Sequence, residues 1–99
     1  MYKSVILPIA KQDIKEAAIW YNEQQPGLGK RFTTHVRKKM NHIRQNPNAI
    51  AVRYDDVKTA LVDIFPYLIH FTVNDEKQVI TVLAVLHTAR DTKIWTERE

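Results

Sequence analysis

The segment VITVLAVLH, residues 79–87, is apolar on both faces when its side chains are laid out with the two-residue period of a strand. Val79, Leu83 and Val85 fall on one side, and Ile80, Val82, Ala84 and Leu86 on the other. A strand with no water-compatible face must lie inside a sheet, covered by helices on at least one side. The rest of the chain therefore has to supply neighbouring strands and an amphipathic helical layer.

It supplies both. Residues 3–7, KSVIL, read as a short β-branched strand stopped by Pro8. From about Ala10 the period changes: Ile14, Ala17, Ala18 and Tyr21 recur at helical spacing, with Lys11, Lys15 and Glu16 between them. Pro26-Gly27 closes this helix, and PGLG serves as the turn. A second helix, roughly Gly29 to Gln45, carries Phe32, Val36, Met40 and Ile43 on one stripe. It ends at Asn46-Pro47, because a residue preceding proline is driven out of the helical region.

Val57–Phe65 and Tyr67–Val73 are rich in β-formers and read as strands beside Val79–His87. NDEKQ, residues 74–78, forms the loop between the last two, and Pro66 marks a tight reversal between the first two. The expected order is β-α-α-β-β-β with a short C-terminal tail or helix around Lys93–Glu97. This is an α+β fold, a helical hairpin packed on a small, mostly antiparallel sheet. At 99 residues the chain is a single domain, residues 1–99, with one modest core.

Charge is distributed unevenly. Between Gln24 and Tyr54 stand seven basic residues, Lys30, Arg31, Arg37, Lys38, Lys39, Arg44 and Arg53, and no Asp or Glu. With a net charge of +4 for the whole chain, the remainder is left at −3. Such a segment suits RNA, DNA or an acidic protein, or is simply a solvated helix face. Cysteine is absent, so disulfides and thiolate metal sites are excluded. The N-terminal run VILPIA is too short for a secretory or membrane-spanning segment. His35 and His42 lie about 10.5 Å apart along the second helix and cannot share a metal ion. No phosphate-binding loop or nucleophile elbow is present, and the glycines of GLGKRF are turn residues. No cofactor is expected.

Two further histidines lie on strands. His70 sits mid-strand on the face opposite Tyr67, Ile69 and Phe71, as a half-buried residue bonded to a neighbour. His87 ends its strand where the chain leaves the sheet. Imidazole titrates near neutrality, so His87 could exchange a proton while Arg90 and Lys58 stabilise an anionic phosphorus centre. The competing reading makes Arg90-Asp91 a local ion pair at a turn, with His87 merely exposed.

Four segments in order carry a resemblance: WYNEQQPGLGKRF (20–32), NP (46–47), FPYLIHF (65–71) and VITVLAVLHTARDTKIW (79–95). Together they resemble the RelE/ParE superfamily, toxins of bacterial type II toxin–antitoxin modules often described as plasmid-stabilisation proteins. The resemblance implies a small cytoplasmic toxin with no membrane association, held inactive by a cognate antitoxin that wraps it with helical or extended segments. It implies one of two targets. RelE-like members cut mRNA on the ribosome, and ParE-like members poison DNA gyrase without chemistry of their own. A third possibility is a degenerate, non-toxic binding protein.

His87 and Arg90 match the superfamily pattern and, with Lys58, form the expected catalytic set. Arg37, Lys38, Arg44, Arg53 and Trp95 are the expected nucleic-acid or antitoxin contacts. The chain also departs from the pattern. Lys58-Thr59 stands where two arginines are common, Asp63 and Ile64 replace basic residues, and Trp95 stands near the position of a tyrosine.

Overall fold

The computed structural model describes residues 1–89. Arg90, Trp95, the Arg90-Asp91 pair and the expected segment at Lys93–Glu97 lie outside the described residues. The elements are β1 (Lys3–Ile6), α1 (Pro8–Gln24), α2 (Leu28–Gln45), a 3-10 turn (Pro47–Ala49), β2 (Val52–Tyr54), β3 (Val57–Leu61), β4 (Tyr67–Asn74) and β5 (Val79–His87). They form a helical hairpin on a five-stranded sheet of order β1-β5-β4-β3-β2. β1 runs parallel to β5, and every other pair is antiparallel.

The α+β architecture holds, and β1, both helices, β4 and β5 lie within about two residues of their expected bounds, with two larger corrections. The sheet has a fifth strand, Val52–Tyr54, so the order is β-α-α-β-β-β-β. Three residues are too few to show a period, and this edge strand exists only by pairing with β3 across a turn that holds Asp55 at φ 48°. The third strand also ends at Leu61, not Phe65. Val62 to Pro66 reverse the chain instead, with the Val62 amide donating to the Tyr67 carbonyl at 2.9 Å and Ile64 held at φ 60°. Buried Val62 and Phe65 gave this reversal the hydropathy of a strand, although they anchor the turn to the core.

Pro8 both ends β1 and begins α1, two residues before the apolar period becomes visible. Proline suits a first helical turn, whose amides have no intrahelical partner in any case. Between the helices Gly27 adopts φ 89°, and the Asn22 side chain accepts its amide hydrogen at 2.8 Å. Two residues on, Gly29 lets the helices approach so closely that a Cβ there would stand 2.3 Å from the Ala18 carbonyl oxygen.

The expected stripe of α2, Phe32, Val36, Met40 and Ile43, is buried with Ile69, Phe71, Ile80, Val82 and Val85 of the sheet. Within this core Tyr21, Phe32, Phe65 and Tyr67 stack at 4.9–6.0 Å, and Tyr67 meets His87 edge-on at 5.3 Å. Burial raises the Tyr21 hydroxyl's pKa, with Tyr67 adding to the effect. The opposite sheet face carries a smaller cluster of Ala84, Leu86, Tyr54 and Leu68.

That second cluster shows that β5 does not keep one alternation. His70 pairs with Ala84 but Phe71 pairs with Val82, so Leu83 is an extra residue opposite a single step of β4. This bulge reverses the phase of everything after it. Ile80 and Val82 face the helices before it, and Val85 does so after it, while Ala84 and Leu86 turn to the other side. Strict alternation grouped Ala84 and Leu86 with Ile80 and Val82, and the bulge corrects that grouping. It also carries His87 to the helix side of the sheet.

Candidate functional site

α1 crosses β5 just where β1 has ended. β1 is terminated by Pro8 and pairs no farther than Val82, so the last residues of β5 have lost their parallel neighbour on that side. Asp13 takes its place, its Oδ2 accepting the Val85 amide hydrogen at 3.0 Å. An edge amide is thereby satisfied by a side chain from the helix above.

Beyond this contact a pocket of about 210 Å³ opens, lined by Asp13, Glu16, Ala17, Trp20, Tyr67, Val85, Leu86 and His87. Asp13, Glu16, Ala17 and Trp20 follow one another at i, i+3, i+4 and i+7, a single stripe of α1. That spacing could have flagged the stripe in the sequence, but its polar half disguises it as a solvated face. Trp20 remains 54% exposed and meets Tyr21 edge-on at 5.1 Å.

His87 is half-buried, braced by Tyr67, its cross-strand partner. Its Nδ1 lies 3.0 Å from the Ala89 amide nitrogen, which donates to it. An acceptor nitrogen carries no proton, so the ring proton resides on Nε2. His87 therefore offers a hydrogen-bond donor to whatever enters the pocket.

Lys58 is elsewhere. It pairs with Phe71, four residues along β4 from Tyr67 and two strands across from β5. At about 3.3 Å per residue and 4.8 Å per strand, this separates it from His87 by roughly 16 Å. Its Nζ donates to the Pro47 carbonyl at 3.1 Å and lies 3.5 Å from Asn48 Oδ1. There it joins a polar cluster unforeseen from the sequence. Tyr2 donates its hydroxyl hydrogen to Asp75 Oδ1 at 2.6 Å, and Asn48 Nδ2 donates to the same oxygen at 2.9 Å. Donation from Tyr2, then from Asn48, holds the Asp75 carboxyl below its ordinary range, with the Lys58 charge assisting. The same hydrogen bond raises the Tyr2 hydroxyl above its usual value. These partners lie too far apart in sequence for any local motif to connect them.

The basic segment does not form one surface. Arg37 and Lys38 are exposed on α2, and Lys39 pairs with Asp63 at 3.3 Å. Arg44 lies half-buried, with Nη2 on Asn41 Oδ1. Arg37 and Arg44 line one groove beside β1, whereas Arg53 sits on β2 at the far edge of the sheet. Arg90 and Trp95 lie outside the described residues. His70 is wholly buried, not half-buried as expected, with Nδ1 3.2 Å from the Tyr54 hydroxyl on the face away from the helices. Among the described residues no three His, Asp or Glu side chains gather as a metal site, and no helix is long and apolar enough to cross a membrane.

Solved structures share this fold. A chain of the chromosomal ParDE toxin–antitoxin system from P. aeruginosa superposes with a TM-score of 0.75 at 18% identity, covering 88% of this chain and 96% of that one. A chain of the intact E. coli RelBE complex gives 0.65 at 20% identity, covering 91% of this chain and 100% of that one. The isolated E. coli RelE toxin gives 0.63 at 20% identity, covering 98% of this chain and 94% of that one. No curated protein matches in sequence. The sequence model of the family described as "ParE toxin of type II toxin-antitoxin system, parDE" matches residues 5–92. The strand order, the helical hairpin and a family match across nearly the whole chain place this protein in the ParE toxin family of type II toxin–antitoxin systems.

Proposed function

We propose that this toxin is neutralised by a cognate antitoxin and acts by gripping its target, with DNA gyrase as the target class, and not by cutting RNA. The observation that carries this reading is the composition of the pocket at His87. Among the described residues it presents the carboxylates of Asp13 and Glu16 and no lysine or arginine. Cleavage by a neighbouring 2′-hydroxyl builds negative charge on phosphorus, which needs preorganised positive charge around it. Two carboxylates at that place oppose the reaction, and Lys58 is engaged with the 3-10 turn at the other end of the sheet. A histidine held with its proton on Nε2 is also poorly set up as a general base, but it is well suited to donating a hydrogen bond to a partner.

Support for an antitoxin comes from the similar chains of P. aeruginosa and E. coli, which belong to toxin–antitoxin systems. Induced expression of the toxin alone should arrest growth, and co-expression of the adjacent gene should restore it. Purified toxin should inhibit gyrase in a supercoiling assay and accumulate cleaved DNA. His87→Ala should remain toxic, within roughly fivefold of the parent in the inducer needed, because one surface hydrogen bond contributes only about 1 kcal/mol. New mRNA ends in a translating extract, abolished by His87→Ala, would overturn the proposal.

A further inference from the structure

α2 carries two basic pairs, Lys30-Arg31 and Arg37-Lys38, seven residues apart. Seven residues make about two helical turns, so the pairs stand on one face, about 10.5 Å apart along the axis. All four side chains are exposed. Among the described residues none of them has an ion pair, whereas Lys39, on the flank of the helix, is held by Asp63 at 3.3 Å. Glu23 of α1 lines the groove on the α1 side of Lys30, so Lys30 counts for less than the other three.

A hollow of about 220 Å³ opens beside the first pair, lined by Gly27, Lys30, Arg31, Thr34 and His35. Its four side chains can all donate a hydrogen bond, and none is a carboxylate. His35 packs against Phe65 at 5.7 Å, which ties this wall of the hollow to the core.

What the face lacks decides between classes of partner. The large apolar side chains exposed among the described residues lie at the N-terminus and on β1, α1, β2, β3 and the Val62–Pro66 reversal, and none lies on α2. A protein interface draws most of its affinity from buried aromatic or apolar anchors, which this face does not offer. A nucleic-acid backbone asks for cations and hydrogen-bond donors spread along a surface, which it does offer.

We propose that the outer face of α2 binds the phosphodiester backbone of duplex DNA without reading its sequence. The choice of DNA over RNA rests on the gyrase reading above, since a toxin that grips gyrase works beside the DNA that gyrase holds. One phosphate would sit in the hollow at Arg31, and others against Arg37 and Lys38. The opposite face of α2 is buried on the sheet, with α1 packed alongside. The helix therefore lies along a backbone and cannot sink into a groove to reach base edges.

The test titrates the full chain, made by cell-free synthesis, into a short fluorescent DNA duplex and reads anisotropy at several salt concentrations. Neutralising about three phosphates gives a slope of log affinity against log salt near −3, so binding should weaken roughly 60-fold between about 50 and 200 mM salt. Arg31→Gln combined with Lys38→Gln should bring the slope to about −1. Both side chains are exposed and unpaired, so the variant keeps its fold. Lys39→Gln, whose charge is already engaged by Asp63, should leave the slope as it is. Duplexes of unrelated sequence should bind alike. No binding at low salt, a slope untouched by the double variant, or an equal effect of Lys39→Gln would overturn the proposal. So would displacement of the duplex by polyglutamate of equal charge, or tighter binding of a duplex RNA. Gyrase is absent from this assay, so failure here strikes the α2 face alone, whereas a failed supercoiling assay strikes the reading of the target.

Discussion

At the scale of single residues, two positions illustrate how context decides a sign. Glycine inside a helix ordinarily costs stability relative to alanine. At Gly29 the balance reverses, because a Cβ would stand 2.3 Å from a backbone oxygen of α1 that cannot move independently. Gly29→Ala should destabilise by about 1–3 kcal/mol, read from urea unfolding. Asp75 sets a pH dependence. Its folded pKa lies below the unfolded value, so its contribution is present above the ordinary carboxylate range and is lost as pH falls through the depressed value. Tyr2 is the mirror case, raised from 10.0, so its contribution is present below that value and lost as pH climbs through the folded one. Protection factors against amide exchange at Tyr2 and in the β4–β5 turn should therefore fall at both extremes. Asp75→Asn should remove the acid limb and leave other regions unchanged.

At the scale of elements, the bulge in β5 matters most. Leu83 is its extra residue, and it sends Val85 and His87 to the helix side. Deleting Leu83 would remove the extra residue while leaving Val82 opposite Phe71 and Ala84 opposite His70, so Val85 and His87 stay on the helix side. The expected result is a regular β4–β5 ladder that keeps the Tyr67–His87 ring contact, seen as little change in the His87 ring resonances. Loss of that ring contact in the deletion variant would show that Leu83 is not the bulged residue. The two helices depend on shape more than on charge. Phe32 is wholly buried amid Tyr21, Phe65 and Tyr67, so Phe32→Ala should cost about 3–5 kcal/mol in urea unfolding.

At the scale of the whole molecule, the basic residues are divided between surfaces instead of concentrated on one. Arg37 and Arg44 belong to the groove at β1, Lys39 is paired with Asp63, and Arg53 lies on the opposite edge. A partner that binds only the folded toxin must raise its apparent stability. At a free concentration one hundred times its Kd the gain is about 2.7 kcal/mol, so the melting temperature should climb steadily with the partner's concentration. A melting temperature indifferent to the product of the adjacent gene would count against the antitoxin.

The sequence by itself determined the α+β class, both helices with their buried stripes, the central position of Val79–His87 and the family. The elements follow from periods of two and 3.6 residues and from turn residues, which act over a few positions along the chain, and the family from the resemblance carried by four ordered segments, WYNEQQPGLGKRF, NP, FPYLIHF and VITVLAVLHTARDTKIW. The short edge strand Val52–Tyr54, the reversal at Val62–Pro66 and the bulge at Leu83 were not legible in the same way. Each depends on a partner strand that neighbouring residues do not reveal. The candidate site divides along the same line. His87 could be singled out at the end of its strand, but Asp13, Glu16 and Trp20 join it only because β1 stops at Pro8 and α1 crosses the vacated edge. Lys58, grouped with His87 by residue type, is drawn away by Pro47 and Asn48. Local spacing decides which elements form, but long-range pairing decides which side chains meet, because a one-residue change of register moves a side chain to the other face of a sheet.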